Sequence, residues 1–363
     1  MMEKSKNRTM NIPIFIPHLG CPNDCVFCNQ RHISGEQEEQ REEEVLRNKV
    51  EEYLDTGIQK KDIEIAFFGG SFTGIERKIQ RFYLDIATEY VNKHHLKGIR
   101  MSTRPDYISR DILEFLSPYP ISAIELGVQS LDQEVLDLSK RNHRVQDVYN
   151  AVDLIRKYKI ELGLQVMLGL PGDTAETFEA TIEKVIQIQP KTLRIYPTLV
   201  IQNTELEALY KRGDYEPIPL EEAVLQVANI LPKIIEANIK VIRIGLQANE
   251  ELNTNAFVAG PYHPAFGELV IDQCVFNEVK TLFEMRKEAI QRLDSQIILC
   301  GNEASIQRLI GHKKTNKKKI VDYLKDKMDK NLEYKVNPDI QTGEIRLFDR
   351  NHTLIYSIKG IGF

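Results

Sequence analysis

A chain of 363 residues is long enough for one large domain or two smaller ones, and it can bury about 75 % of its unfolded surface without disulfide staples. Hydrophobic residues make up 42 % and charged residues 28 %, which excludes wholesale disorder and collagen-like or coiled-coil composition, and the absence of Trp excludes a tryptophan stacking platform. Net charge is −5, from 48 basic and 53 acidic side chains, so there is no global basic excess for nucleic-acid binding and only a local patch would serve.

At the N-terminus the apolar stretch Ile12 to Ile16 is too brief for the core of a signal peptide, and no small-residue cleavage site follows it. No apolar run reaches the roughly 18 residues of a membrane span. A cytoplasmic protein is expected. From residue 10 to about 245, short apolar runs alternate with amphipathic stretches. The expected strands are Ile12–Ile16, Ile63–Phe68, Gly98–Ser102, Ala123–Val128, Gly163–Leu168 and Thr192–Tyr196. The expected helices are Glu42–Leu54, Glu76–His94, Ser109–Leu116, Val145–Tyr158 and Thr174–Ile188. A further helix, Leu220–Glu236, leads into a possible seventh strand at Lys240–Ile244. Strands and helices at this spacing are the pattern of βαβ units and a parallel sheet. Six units suit an open doubly wound sheet or an incomplete barrel, since a full eight-unit barrel takes about 250 residues. In either arrangement the functional loops lie beyond the C-terminal ends of the strands.

The chemistry-bearing sequences fall at those ends. Cys21, Cys25 and Cys28 lie within eight residues after the first strand. Three thiolates on one loop suit three irons of a 4Fe-4S cube, leaving the fourth iron without a protein ligand. Zinc is the alternative, with His18 or His32 as the fourth ligand of a closed site, as are unliganded thiols. Cys274 and Cys300 sit among apolar residues and read as buried structural thiols. FFGGSF, with Gly69 and Gly70, ends the second strand where backbone can approach a ligand closely. STRPD carries Arg104 and Asp106, GVQS carries Gln129 and Ser130, and RNH carries Arg141 and His143. GLPGD suits a strand-to-helix turn with Asp173 or Thr174 as the N-cap. Their gathering on one rim is what a scaffold with functional loops produces.

Beyond residue 245 the pattern changes. The Gly/Pro-marked stretch 254–270 reads as irregular, its segment AGPYHPAFGEL (259–269) as a lid or as an edge seal, and a helix is expected over Asp272–Leu293. The run HKKTNKKK (312–319) reads as a basic loop, and short strands are expected at Tyr334–Val336, Ile345–Phe348 and Thr353–Ile358, with a hairpin turn at Asn351 and His352. The expected division is a core of 1–245 and a small α+β extension of 246–363.

The Cys-x3-Cys-x2-Cys loop with Phe27 before its third Cys, followed by FFGGSF, STRPD, ELGVQSLD, RNH, QVMLGLPGDT and RIYPTLV in that order, resembles the radical S-adenosylmethionine (SAM) superfamily. The motifs from STRPD onward resemble its branch containing the Elongator catalytic subunit and the oxygen-independent coproporphyrinogen oxidases, and STRPDYI and YPTLVI resemble the Elongator side. The likeness covers about residues 10–245. It implies a partial (β/α)6 barrel, a 4Fe-4S cluster on Cys21, Cys25 and Cys28, and SAM held by Gly69, Gly70, Arg104, Gln129 and Arg141, with Phe27 packing near the adenine. It also implies reductive cleavage of SAM to a 5′-deoxyadenosyl radical that takes a hydrogen atom from substrate, with a flavodoxin- or ferredoxin-like reductant. Tyr196 and His263 are the residues offered for substrate contact, and no catalytic residue is named. The branch makes tRNA a partner to expect, through the 312–319 lysines. A silent SAM-binding scaffold and a zinc-binding RNA module stand as alternatives. The chain departs from the Elongator subunit in its shorter cysteine spacing, in Arg141-Asn142-His143 for the usual Arg-Gly-His, and in lacking room for an acetyltransferase domain.

Overall fold

The computed structural model describes residues 10–16, 25–28, 43–54, 62–246, 256–292 and 296–359. The chain divides into two compact units, one holding the residues up to Pro219 together with Ile234–Tyr262, the other Leu220–Lys233 together with the residues from His263 onward.

The first unit is built on seven parallel strands whose spatial order follows the chain. They are β1 (Met10–Phe15), β2 (Ile63–Phe68), β3 (Gly98–Thr103), β4 (Ile121–Gln129), β5 (Glu161–Leu168), β6 (Thr192–Pro197) and, after the two-residue β7 (Val200–Ile201), β8 (Lys240–Ile244). β7 pairs antiparallel with β9 (Phe257–Ala259). Because the spatial order of this sheet follows the chain, with only β7 set aside, the crossovers all turn the same way and the sheet curls into an incomplete barrel. The seventh strand, left open by the sequence, pairs with β6 from Thr192 opposite Lys240 to Ile195 opposite Ile244.

The helices are α1 (Glu43–Leu54), α2 (Arg77–His94), α3 (Arg110–Leu116), α4 (Gln133–Leu138), α5 (Val145–Lys157), α6 (Ala175–Ile188), α7 (Glu205–Arg212) and α8 (Leu220–Glu236). In α2, Tyr83, Leu84, Ala87, Tyr90 and Val91 recur at helical spacing and are all buried. Tyr83 meets Phe67 of β2 edge-on at 5.7 Å, so the odd-numbered residues of β2 face the helices. Starts are fixed by side-chain caps directly behind the functional loops: Ser109, Asp132, Thr174 and Thr204 accept backbone N–H groups of α3, α4, α6 and α7. Thr174 is therefore the cap of α6. Asp173 folds back instead, its carboxylate accepting the Gly169 N–H at 2.9 Å and the Thr177 hydroxyl at 2.6 Å.

The inner face of the barrel is charged rather than apolar. Glu64 accepts from Arg100 Nε at 3.0 Å, and Arg100 Nη1 lies 3.5 Å from Glu125. Glu125 in turn takes two bonds from Arg194, at 2.5 and 3.3 Å. The chain of charges crosses from β2 to β6, and Glu125 passes over β5 at Gly163. A Cβ there would stand 2.6 Å from Glu125 Cγ and 2.8 Å from Thr192 Oγ1.

The second unit comprises the first part of α8 with α9 (Phe266–Met285), α10 (Lys287–Gln291), β10 (Gln296–Gly301), α11 (Glu303–Ile310), α12 (Thr315–Met328), β11 (Asn331–Val336), β12 (Glu344–Asp349) and β13 (Leu354–Lys359). Its mixed sheet runs β11-β10-β12-β13, over a core that includes Phe283, Leu299, Leu309, Leu324 and Leu347. Three expectations are corrected here. The helix placed over Asp272–Leu293 begins at Phe266 and breaks at Arg286. The basic run 312–319 is no loop: His312–Lys314 form a 3-10 turn and α12 starts at Thr315. Ile320, Leu324 and Met328 supply a buried stripe every four residues, and lysine is a good helix former on the remaining faces. The stretch 254–270, expected to be irregular, carries β9 and the start of α9, with 254 and 255 outside the described residues. Helix α8 shares bonds with α9: Cys274 Sγ donates to the Ala228 carbonyl at 3.4 Å and Asn277 to Asn229 at 3.4 Å.

Replacing Gly163 by Ala is expected to push Glu125 off Arg194 and to cost about 1–3 kcal/mol, as overpacking in a tight core does. Denaturant melts of the variant beside the parent protein measure it.

Candidate functional site

The loops beyond β1, β3 and β4 bring four of the expected residues together. Cys25 is buried and Cys28 half-buried on a tight turn, closed by the Cys28 N–H donating to the Cys25 carbonyl at 2.9 Å. Cys21 lies outside the described residues. Arg141 places Nη1 3.5 Å from Cys25 Sγ and donates through Nη2 to the Gly127 carbonyl at 2.8 Å. Arg104 is 1 % exposed; its Nη1 stands 4.0 Å from the same sulfur. Its fork grips Asp106 at 2.9 and 3.0 Å, and Nη2 donates to the Arg141 carbonyl at 2.6 Å. The two arginines are thus locked to each other and aimed at one thiol.

Gly127 makes the approach sterically feasible. A Cβ there would lie 3.1 Å from both Arg141 Nη2 and Gln129 Nε2. A register shift between Gly127 and Gln129 turns the end of β4, and Gln129 takes φ 67°, a left-handed conformation that a non-glycine residue holds only when its surroundings impose it. Gln129 is buried and accepts from Gln165 Nε2 of β5 at 3.4 Å. At the end of β2, Gly69 has φ 99°, and a Cβ there would stand 3.1 Å from the Ile16 carbonyl oxygen. Gly70 follows, half-buried.

Several polar atoms at this rim have no partner among the described residues. Arg141 Nε and both ring nitrogens of His143 are buried without a hydrogen bond. Burial first, and then the charges of Arg141 and Arg104, push the His143 imidazole down to about 3, so it is neutral at ordinary pH. Two guanidiniums and an unmatched N–H around a cysteine sulfur form a recess built for negative charge. Thiolates ligating an iron–sulfur cluster and a carboxylate beside them fit that recess. Among the described residues no group of three or more His, Cys, Asp or Glu side chains is arranged to hold a metal ion.

The remaining expected residues lie elsewhere. Phe27 turns its ring to the apolar cluster of Val26, Val200 and Leu206. Ser130 is structural: its hydroxyl meets Thr181 Oγ1 at 3.3 Å and accepts the Asp132 N–H. Tyr196 is half-buried on β6, with its hydroxyl 3.4 Å from Arg194 Nη1. His263 belongs to the second unit, where Nδ1 accepts the Ala265 N–H. Sequence reasoning overlooked Gln165, Gly127 and the Glu64–Arg100–Glu125–Arg194 chain. The available signal was a polar residue at every second position of ELGVQ and a lone Gln within GLQVML.

Asp106 carries the fork of a fully buried guanidinium, so Asp106→Ala is expected to destabilise the protein by about 2–3 kcal/mol, more than Asp106→Asn. Chemical denaturation of the three proteins provides the comparison.

Residues 15–185 match the radical SAM superfamily and residues 190–275 its C-terminal domain, together well over half of the chain. A protein named tRNA uridine(34) acetyltransferase from Methanocaldococcus infernus is 28 % identical over 244 residues, covering 62 % of this chain and 45 % of that one. Elongator complex protein 3 of Drosophila melanogaster is 30 % identical over 209 residues, covering 51 % of this chain and 37 % of its own. The chain spans about half the length of the first curated relatives it matches. In fold it is similar to the archaeal Methanocaldococcus infernus Elp3, with a TM-score of 0.56 at 23 % identity over 77 % of this chain and 63 % of that one. No helix among the described residues is long and apolar enough to cross a membrane. With its incomplete parallel barrel and its Elongator-like relatives, the chain belongs to the radical SAM superfamily of enzymes, whose cofactors are S-adenosylmethionine and a 4Fe-4S cluster.

Proposed function

We propose that this protein reductively cleaves SAM at a 4Fe-4S cluster and directs the resulting radical at a nucleoside of tRNA. The observation that carries the reading is the convergence of Arg104 and Arg141 on Cys25 Sγ, at 4.0 and 3.5 Å, on the rim that also holds Gln129. Cys21, Cys25 and Cys28 are the cluster ligands in this reading, and Gly69, Gly70, Arg104, Gln129 and Arg141 hold SAM, with Gln165 beside them. Bound there, the two cofactors supply a 5′-deoxyadenosyl radical on receipt of an electron from a flavodoxin- or ferredoxin-like donor. Arg104 and Arg141 balance negative charge in a dry site, and Asp106 keeps Arg104 from turning away. The backbone at Gly69 and Gly70 leaves room for the methionine end of SAM.

The inner face of the barrel supports a polar, planar substrate. Arg194 lies 5.2 Å over the Phe68 ring, beside the Tyr196 hydroxyl, and a guanidinium has five N–H groups, more than Glu125 and Tyr196 consume. Donors left over beside aromatic faces suit the carbonyls of a nucleobase. The archaeal relatives named tRNA uridine(34) acetyltransferases favour tRNA as the carrier of that base. Lys313, Lys314 and Lys318 are exposed at the start of α12 and offer charge to a phosphate backbone. Lys317 and Lys319 are partly engaged, over Tyr334 at 5.8 Å and with Gln273 at 3.0 Å.

Anaerobically reconstituted protein given SAM and dithionite is expected to form 5′-deoxyadenosine, with Cys25→Ala inactive and Arg141→Ala slower by about tenfold or more. A fully loaded cluster that yields no product with or without tRNA would sink the reading. A gel-shift series with unmodified tRNA is expected to show salt-sensitive binding. Changing Lys313, Lys314 and Lys318 to Ala should reduce the slope of log affinity against log salt by about 2–3. Binding unaffected by those changes removes the lysines as the contact.

A further inference from the structure

In the second unit the first part of α8 and the middle of α9 enclose a cleft of about 500 Å³. Its construction starts with Pro232 inside α8. Proline has no N–H, so the Ala228 carbonyl four residues earlier loses its helical donor. Cys274 of α9 replaces that donor, its thiol reaching the carbonyl at 3.4 Å. Burial pushes this thiol up to about 12, which keeps it protonated for the task. Cys274 is therefore part of the wall and not a reactive group.

One turn further along α9 stands Glu278, facing the same cleft. Its Oε2 is buried and has no hydrogen-bond partner among the described residues. Burial alone pushes the carboxyl up to about 7. Two cations of the same stretch of chain face aromatic rings: Arg286 stacks 4.5 Å over the Tyr356 ring, and Lys280 lies 6.0 Å over Tyr323. The nearby amides are engaged as well, Asn277 donating to Asn229 at 3.4 Å and accepting from Gln273 at 2.8 Å. Pro232, Leu282, Met285 and Tyr356 give the cleft apolar walls, and Thr281 adds a hydroxyl. Its volume falls in the range of about 300–1,000 Å³ typical of small-molecule sites and far exceeds the roughly 30 Å³ of one water.

We propose that this cleft binds a small organic cation, an amine with an apolar body, whose ammonium group completes the hydrogen bonding of Glu278. A cation suits the site better than a neutral donor because it ionises the carboxyl it meets and forms charge-assisted bonds with it. The apolar walls require that the rest of the ligand be hydrocarbon or aromatic. The site is separate in chemistry from the cysteine rim and needs neither SAM nor a cluster.

Benzylamine and its neutral counterpart benzyl alcohol serve as probes on the full chain, in calorimetric titration and saturation-transfer NMR without SAM. Benzylamine is expected to bind at one site per chain. Benzyl alcohol, and benzylamine with Glu278→Gln, should bind about tenfold more weakly or not at all. Glu278→Gln is expected to melt no lower than the parent protein, since it replaces a buried ionisable group by a neutral one of the same shape. Thr281→Phe, which fills the cleft, should abolish binding and decides the question if the first variant fails to fold. Equal binding of alcohol and amine, unchanged binding in a folded Glu278→Gln or Thr281→Phe protein, or no binding to the parent protein overturns the proposal.

Discussion

The guanidinium of Arg141 reaches Cys25 through space that any side chain at position 127 would crowd. A Cβ on Gly127 would stand 3.1 Å from Arg141 Nη2, the nitrogen that bonds the Gly127 carbonyl, while Nη1 of the same fork lies 3.5 Å from the sulfur. The rest of the rim depends on that placement. Arg104 bonds the Arg141 carbonyl, Asp106 holds the fork of Arg104, and both guanidiniums then face one thiol. Two positive charges are held together in a buried site, a strained arrangement unless negative charge is supplied. Asp106 supplies one unit. The cysteine ligands of a cluster and a carboxylate beside them would supply the rest, which makes the unmatched Arg141 Nε and the neutral His143 features of a site completed by its cofactors.

A second glycine serves the layer below. Gly163 lets the Glu125 side chain cross β5 to reach Arg194, and so lets four charges on four strands form one chain with Glu64 and Arg100. Burial raises the Glu64 carboxyl, but Arg100, Ser122 and Lys97 outweigh it and hold the carboxyl below its ordinary range. Arg100, Glu64 and Glu125 are almost fully buried, and such networks contribute little net stability compared with hydrocarbon of the same volume. A closed barrel of this type is filled with branched apolar residues. The charged chain here therefore adds little to what holds the fold together.

The fold was legible in the sequence wherever periodicity was strong. Helix α8 was expected at its observed limits, and β2 likewise, because each is set by a pattern that local rules read well. The site was legible where motifs end strands: Arg104, Gln129 and Arg141 were expected on one rim, and the structure places them there. What escaped was information carried on one face of a buried strand. In a parallel strand with both faces buried, Glu125 and Gln165 look like interruptions of an apolar run, and only the sheet shows that they share a face with Arg100 and Arg194. The lysine run was misread for the opposite reason. Its composition is that of a solvated loop, while Ile320, Leu324 and Met328, which make it helical, come after the lysines end.

Cys274 and Cys25 show why a cysteine must be judged by what surrounds its sulfur. Both are almost fully buried and neither is in a disulfide. Cys274 faces a carbonyl acceptor on an interrupted helix and lies near the carboxyl of Glu278, so its neighbourhood favours the protonated thiol. Cys25 faces two guanidiniums that donate to sulfur and lacks any comparable acceptor among its described contacts. The first environment favours a thiol that keeps its proton, while the second sets two donors against a sulfur. Three cysteines within eight residues raise the question of a cluster, and two converging guanidiniums are the contacts that set Cys25 apart from Cys274.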